Sequence, residues 1–69
     1  MNESLLVPVA EVRFTQQQTP PGSVQLAPYF VASEKLALHL TNQGVIATHL
    51  ASDLSVLYPM HLITRVTYA

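Results

Sequence analysis

The sequence predicts an all-β domain, a small curved sheet or barrel of about five short strands. Apolar and polar residues alternate with a period of two over residues 7–15 and again from Leu36 to Leu40, a pattern typical of strands with one buried face. β-Branched and aromatic residues, which favour strands, dominate residues 54–68. The predicted strands are joined by only a few residues each, as in small barrels and strongly curved sheets.

Residues 7–15 form the first predicted strand. Its alternation places Ala10, Val12 and Phe14 on the buried side, and the other side carries Val9, Glu11, Arg13 and Thr15. Residues 16–23 (QQQTPPGS) then form an exposed loop, because two prolines followed by a glycine disfavour both helix and sheet. Residues 24–31 form a second strand, and Pro28 restricts it to an edge or a bulged position.

Residues 33–57 allow two interpretations. As a hairpin, Leu36, Leu38 and Leu40 share one face, and a three-residue loop at residues 42–44 reverses the chain, with Gly44 supplying a left-handed position. That register pairs these leucines with Leu50, Thr48 and Ile46, respectively. As helices, Ser33 is an N-cap and Gly44 a C′ residue, which gives an α+β domain with a helix-turn-helix at residues 33–57. The alternation of the leucines favours the hairpin, since Leu38 would lie off the apolar stripe of a helix.

The remainder of the chain predicts a turn followed by the closing strand. Ser52 and Asp53 mark the turn. Residues 54–68 form either one bent strand or two strands joined at Tyr58 and Pro59. One face of its last part carries Leu62, Thr64, Val66 and Tyr68.

Charge is scarce throughout this single predicted domain, residues 1–69. Half of the residues are hydrophobic, at 49%, and only 10% are charged, whereas about a quarter is usual for a soluble domain. A domain this small also exposes a large share of its surface. We therefore expect apolar surface that faces a second copy or another protein, and hence a homo-oligomer. The charged residues are Glu3, Glu11, Arg13, Glu34, Lys35, Asp53 and Arg65.

The charge balance and the distribution of apolar residues exclude several classes. The formal net charge is −1, so long-range attraction to nucleic acid or anionic lipid is not expected. No stretch approaches the roughly 20 apolar residues that span a bilayer. Glu3 stands where a signal peptide carries a basic residue. These features predict a cytoplasmic protein.

The residues that chemistry requires are also sparse. The predicted register places His39 and His49 on one face, but a stable zinc site needs three or four ligands, and His61 joins them only if the final strand lies alongside. No two carboxylates are close in sequence, no serine or threonine is placed beside a base at a strand–turn–helix elbow, and no glycine-rich loop is present. We predict no catalytic residue, no metal site and no cofactor.

The segments LALHLTNQG and YPMHLITRV resemble a strand–turn and the closing strand of Sm-like small barrels. Asp53 falls near the position of an acidic turn residue in that family. The resemblance covers about half of the chain and implies an RNA-binding ring, with His61 as the matching pore residue. Two features depart from the family: the spacing between Asp53 and the closing strand is too short, and a strand replaces the N-terminal helix. We do not assign the chain to this family.

The functional prediction is a non-enzymatic protein-interaction module, such as a small phage- or plasmid-type inhibitor or regulator. It would bind a partner protein through an apolar sheet face or edge. The predicted contact residues are Tyr29 and Phe30 in one patch and Tyr58 and Met60 in another, because aromatic and methionine side chains are enriched at interfaces. The alternative is a nucleic-acid-binding regulator, either an Sm-like ring or a helix-turn-helix protein.

Overall fold

The computed structural model describes residues 6–69 and confirms the all-β prediction. Glu3, and with it the start of the predicted domain, lies outside these residues. Strands account for 62% of the structure, and the only helical element described is the 3₁₀ turn η1 (Met60–Leu62). The strands are β1 (Val7–Gln18), β2 (Ala27–Val31), β3 (Leu36–Leu40), β4 (Gly44–His49), β5 (Leu54–Pro59) and β6 (Ile63–Tyr68).

All six strands belong to one antiparallel sheet that is not closed into a barrel, so the curved sheet is the correct one of the two predicted forms. The strand order is β2-β1-β3-β4-β5, and β6 pairs with β1. The long strand β1 belongs to two parts of the sheet. Its first residues, Val7 and Pro8, pair with β3, and its remainder lies between β2 and β6.

These two parts differ in charge. We call β2, β1 and β6 the charged half, because Glu11, Arg13 and Arg65 lie on its strands. We call β3, β4 and β5 the neutral half, because none of these strands contains an aspartate, glutamate, lysine or arginine. The helix-turn-helix interpretation of residues 33–57 is wrong, since β3 and β4 and most of β5 occupy this segment. The alternating leucines of β3 dictate strand geometry there.

The β3–β4 hairpin differs from its predicted register by one residue. Leu36, Leu38 and Leu40 lie opposite His49, Ala47 and Val45. The loop contains two residues instead of three, because Thr41 and Gly44 exchange both backbone hydrogen bonds, at 2.7 and 3.3 Å. The Thr41 hydroxyl stabilises this shorter turn by accepting a hydrogen bond from the Gln43 amide, at 3.1 Å. Val45 and Ala47 therefore join Leu38 in the core.

Gly44 is required both for its backbone conformation and for the space beside it. Its φ of +151° is positive, as predicted, and L side chains rarely adopt it, although it is far from the left-handed helical value near +57°. A Cβ at this position would overlap the Tyr58 carbonyl oxygen on β5. The positive φ and the close approach of β5 together select glycine here.

Bulges alter the predicted faces of β1 and β6. Val9 lies opposite Tyr68 and Glu11 opposite Thr67, so β1 contains one extra residue at Ala10. Val9, predicted on the outer side, is thereby buried together with Val12. At the other end of the pair, Arg13 lies opposite Arg65 and Phe14 opposite Ile63, which places an extra residue at Thr64.

The bulge in β6 corrects the predicted face of the closing strand. Both Ile63 and Val66 pack against the core, whereas Thr64 and Tyr68 are exposed. Of the two predicted forms of the tail, two strands are correct, and η1 separates β5 from β6 directly after Pro59. The part of the chain that the structure describes consequently forms six strands, one more than predicted.

The predicted exposed loop at residues 16–23 is displaced along the chain. Residues 16–18 belong to β1, and the connection to β2 covers residues 19–26. Within it, the Ser23 amide donates to the Pro20 carbonyl at 3.2 Å, and Gly22 has a φ of +78°. Pro21 is buried, so this loop covers part of the core. Pro28 lies in edge strand β2, as predicted.

The core lies between the two halves of the sheet. It consists of Val9, Val12, Phe14, Phe30, Leu38, Val45, Ala47 and Tyr58.

Candidate interaction surface

Two of the four predicted contact residues form the centre of the core. Phe30 from β2 and Tyr58 from β5 meet Phe14 from β1 in a cluster of three rings. The ring centroids of Phe14 and Phe30 are 4.7 Å apart, and those of Phe30 and Tyr58 are 5.2 Å apart. Both pairs adopt edge-to-face geometry, which is a favourable arrangement for aromatic rings. The cluster connects the charged and neutral halves, so neither Phe30 nor Tyr58 presents its ring to a partner.

The Tyr58 hydroxyl connects β5 to the loop after β1. It donates a hydrogen bond to the Thr19 carbonyl oxygen, at 2.6 Å, which satisfies the polar end of a buried side chain. Burial raises the pKa of Tyr58 above its ordinary value, because the phenolate form would lose its hydration. Tyr58 is therefore a structural residue.

The other two predicted contact residues, Tyr29 and Met60, are exposed. Tyr29 lies opposite Arg13 on the outer face of the charged half, and the Arg13 guanidinium carbon is 4.9 Å from its ring centroid. Met60 begins η1, directly after β5. The two side chains belong to different elements, so each predicted patch retains one residue that a partner could contact.

The histidines do not occupy a common face. His39 lies opposite Ile46, while His49 lies opposite Leu36 on the face of the leucines, because of the one-residue change in register. The Nδ1 atom of His49 is 2.6 Å from the Ser52 Oγ atom, and Gly22 packs against the His49 ring. Within residues 6–69, no three histidine or carboxylate side chains are grouped as metal ligands.

An exposed apolar surface lies on β5 and the start of η1. Leu54, Val56 and Leu57 are each 40–52% exposed, and Met60 is 45% exposed. No charged residue occurs between Asp53 and Arg65. We call this surface, together with the backbone edge of β5 that faces away from β4, the β5 edge. It is uncharged over the whole length of the strand.

The geometry of the β3–β4 hairpin determines which peptide groups of β5 point away from β4. Mutual hydrogen bonds alternate along an antiparallel pair, and Thr41 and Gly44 form one such pair. Val45, Ala47 and His49 consequently direct their peptide groups at β5. Their partners there are Tyr58, Val56 and Leu54.

Ser55 and Leu57 must then direct their N–H and C=O groups away from β4. Among the described residues, β5 pairs with no other strand, and the turn and loop hydrogen bonds do not involve Ser55 or Leu57. The β5 edge is therefore a free hydrogen-bonding edge with apolar side chains on both sides.

The other free edges carry features that oppose pairing. β2 contains Pro28, which removes a backbone donor, and β6 carries Arg65. Proline and charged side chains are common means of preventing the association of edge strands. β5 has neither between Leu54 and Tyr58. The predicted patch of Tyr58 and Met60 lies on this strand and at its end, but the Tyr58 ring is buried. The uncharged run from Asp53 to Arg65 is the sequence signal that could have indicated the exposed part of β5.

In comparisons with known proteins, no family model, curated protein or solved structure matches the chain. Within residues 6–69, no helix is long and apolar enough to cross a membrane.

Proposed function

We propose that this protein is a non-enzymatic interaction module that binds an extended polypeptide segment by adding it as a strand to the β5 edge. The observation that carries the proposal is the free edge of Ser55 and Leu57, flanked by exposed Leu54, Val56 and Met60. In strand addition, main-chain hydrogen bonds provide affinity and alternate side chains provide selectivity. The β5 edge offers both.

Burial of the exposed apolar side chains would supply the driving force. Full burial of a valine, leucine or methionine side chain contributes about 1.5–3 kcal/mol, and the side chains of the β5 edge are already about half buried. Because the strand is uncharged, binding does not require the desolvation of an ion. The interaction should therefore depend weakly on salt.

The experiment is a titration of the protein with a fluorescently labelled peptide of residues 53–60, capped at both ends, followed by anisotropy. We expect saturable binding that Val56→Lys abolishes, since a lysine would place its charge in the paired edge. Val31→Lys is the matched control, because Val31 is also an exposed valine on an edge strand, 52% exposed against 40% for Val56. Absence of binding, or equal loss in both variants, would contradict the proposal.

A second candidate function, nucleic-acid binding, rests on one row of side chains in the charged half. Arg13 lies directly opposite both Tyr29 and Arg65, so two of the three basic residues of the chain lie in one cross-strand row with an exposed ring, and Arg13 is directly beside that ring. Stacking on an aromatic ring next to basic groups is how single-stranded nucleic acids are bound. The helix-turn-helix form of this hypothesis is excluded by the strands of residues 36–59.

Titration with a labelled oligothymidylate at several salt concentrations tests this second function. Two phosphate contacts predict a slope of log K against log salt of about −1.4 for a single strand. Arg65→Gln should reduce the slope by about half. Binding that is absent at low salt would eliminate this candidate.

A further inference from the structure

We infer that the chain which pairs with the β5 edge is a second copy of this protein, so that β5 strands of two copies join antiparallel across a twofold axis. This inference rests on the proposed function and names its partner. In twofold pairing both copies use the same surface. If residue i of the first copy contacts residue j of the second, residue j of the first also contacts residue i of the second. The β5 edge satisfies the requirements of such a contact in hydrogen bonding, in side-chain pairing and in charge.

Hydrogen bonding selects one register. When Ser55 lies opposite Leu57 of the second copy, the two residues exchange both of their hydrogen bonds. The symmetric pair does the same, so that four bonds use every outward N–H and C=O group of Ser55 and Leu57. A shift by two residues in one direction would place Ser55 opposite Pro59, which has no N–H group, and the Ser55 carbonyl would lose its partner. A shift by two residues in the other direction would place Leu57 opposite Asp53, whose N–H is already donated to the His49 carbonyl.

This register places Val56 on the twofold axis. Val56 then lies opposite its own copy in a pair without mutual hydrogen bonds, where Cα atoms approach to about 4.5 Å. Two half-exposed valines thereby cover each other, and Leu54 lies opposite Tyr58 on the same face. β-Branched side chains are favourable in such cross-strand pairs.

The charge pattern favours a second copy over a different protein. A twofold axis brings every residue near it close to its own copy, so a charge there would meet a like charge. Residues 54–64 contain no charged residue, and the nearest charge, Asp53, lies outside β5. A surface for a different partner could use charge complementarity to gain selectivity. The β5 edge has no charge to offer.

The available surface limits the strength of this dimer. A standard interface covers about 800 Å² per partner, roughly a sixth of the 4739 Å² surface of this protein. A six-residue strand is only about 20 Å long, and the contact therefore falls at the small end of stable interfaces. We expect a dimer that dissociates on dilution.

Light scattering of the full-length chain across a range of concentrations tests the inference. We expect a mass that rises towards twice the 7.6 kDa of one chain. Val56→Lys and Val56→Glu should each weaken self-association on the order of a hundredfold, since juxtaposed like charges cost several kcal/mol. An equimolar mixture of the two variants should restore a dimer, because the axis then brings the introduced lysine of one copy to the introduced glutamate of the other. Val31→Lys is the control and should leave the dimer unchanged.

Leu57→Lys, whose side chain is exposed on the opposite face of β5, provides a second variant in case Val56 variants do not fold. It should also weaken the dimer. A protein that is monomeric at every concentration but still binds the peptide of residues 53–60 would overturn the inference and leave the proposed function standing. A monomer that also fails to bind the peptide would overturn both. A dimer that persists in all three edge variants would overturn the inference as well.

Discussion

The two halves of the sheet end in edges of different character. In the charged half, β2 contains Pro28, β6 contains Arg65, and the outer row beside them includes the Glu11–Arg13 ion pair, with a 2.9 Å contact between Oε2 and Nε. In the neutral half, β5 ends the sheet with Ser55 and Leu57 directed outward and with no charged residue on the strand. Within residues 6–69, the chain therefore protects two edges and leaves a third free.

This difference assigns different tasks to the halves. Proline and charge at an edge prevent a sheet from growing, so the charged half sets a limit to association. The free β5 edge allows one further strand to be added to the sheet, beside β5. The proposed function requires both properties, because pairing at several edges would produce open assemblies instead of closed ones.

The largest expected difference in stability is between substitutions on the buried face and on the exposed face of β5. Tyr58→Ala removes a buried ring from the aromatic cluster and should destabilise the protein by about 3–5 kcal/mol. Leu57→Ser, at an exposed position of the same strand, should change the free energy of unfolding by about 0.5 kcal/mol or less in the dilute monomer. Urea denaturation measures both. Similar losses in the two variants would mean that the outward side of β5 belongs to the core.

The next effect concerns the seam between β4 and β5. Gly44→Ala should cost at least about 2 kcal/mol, because the new methyl group overlaps the Tyr58 carbonyl and the backbone is strained at positive φ. In Gly22→Ala the three atoms nearest to the new methyl group all belong to the His49 ring, a side chain that can move, so that the cost is mainly that of the positive φ and should be about 1 kcal/mol. Thermal unfolding followed by circular dichroism compares them. An equal or smaller loss for Gly44→Ala would show that β5 is not held closely against β4.

A smaller effect tests how Tyr58 connects the halves. Tyr58→Phe removes the hydrogen bond to Thr19 and should cost about 1 kcal/mol at neutral pH. Because burial raises the Tyr58 pKa in the folded state, the folded protein retains this proton more tightly than the unfolded chain. Its contribution to stability is therefore complete below about pH 10 and is lost as the pH rises through the folded pKa.

Urea midpoints of the wild type and Tyr58→Phe between about pH 8 and pH 11 check the sign of this dependence. The difference between the two proteins should shrink as the pH rises above about 10. A difference that grows with pH would contradict the buried, hydrogen-bonded state of the Tyr58 hydroxyl.

The smallest expected change in stability comes from removing the proline of the β2 edge, which makes this edge resemble the β5 edge. Pro28→Val returns a backbone donor to β2 and should change the free energy of unfolding by about 0.5 kcal/mol or less. It should nevertheless promote association beyond the dimer, since a second edge becomes able to pair. Light scattering would show masses above that of a dimer. If the mass stays unchanged, Pro28 is not what protects the edge of β2.

The fold class followed from features that act over a few residues. The alternating leucines of β3, the β-branched tail and Pro28 each determined a strand or an edge locally. The register of the β3–β4 hairpin did not follow, because a threonine hydroxyl shortens the turn. The faces of Val9 and Ile63 also did not follow, since a bulge depends on how two distant strands fit together.

The sequence predicted an exposed apolar surface but indicated only part of its location. Scarce charge indicated an apolar contact surface, and the structure exposes Leu54, Val56 and Leu57 on one edge strand. Aromatic residues gave the wrong emphasis, because Phe30 and Tyr58 are the side chains with which a small sheet fills its core. Which strand ends the sheet is a property of the whole topology, and local patterns do not contain it.

Amide hydrogen exchange, resolved by residue, tests the central claim most directly. We predict that the Val56 and Tyr58 amides exchange slowly at every protein concentration, because they bond to β4. The Ser55 and Leu57 amides should exchange rapidly in dilute protein and become protected as the concentration rises. Exchange of Ser55 and Leu57 that is independent of concentration, whether fast or slow, would contradict the assignment of the β5 edge as the surface where two copies pair.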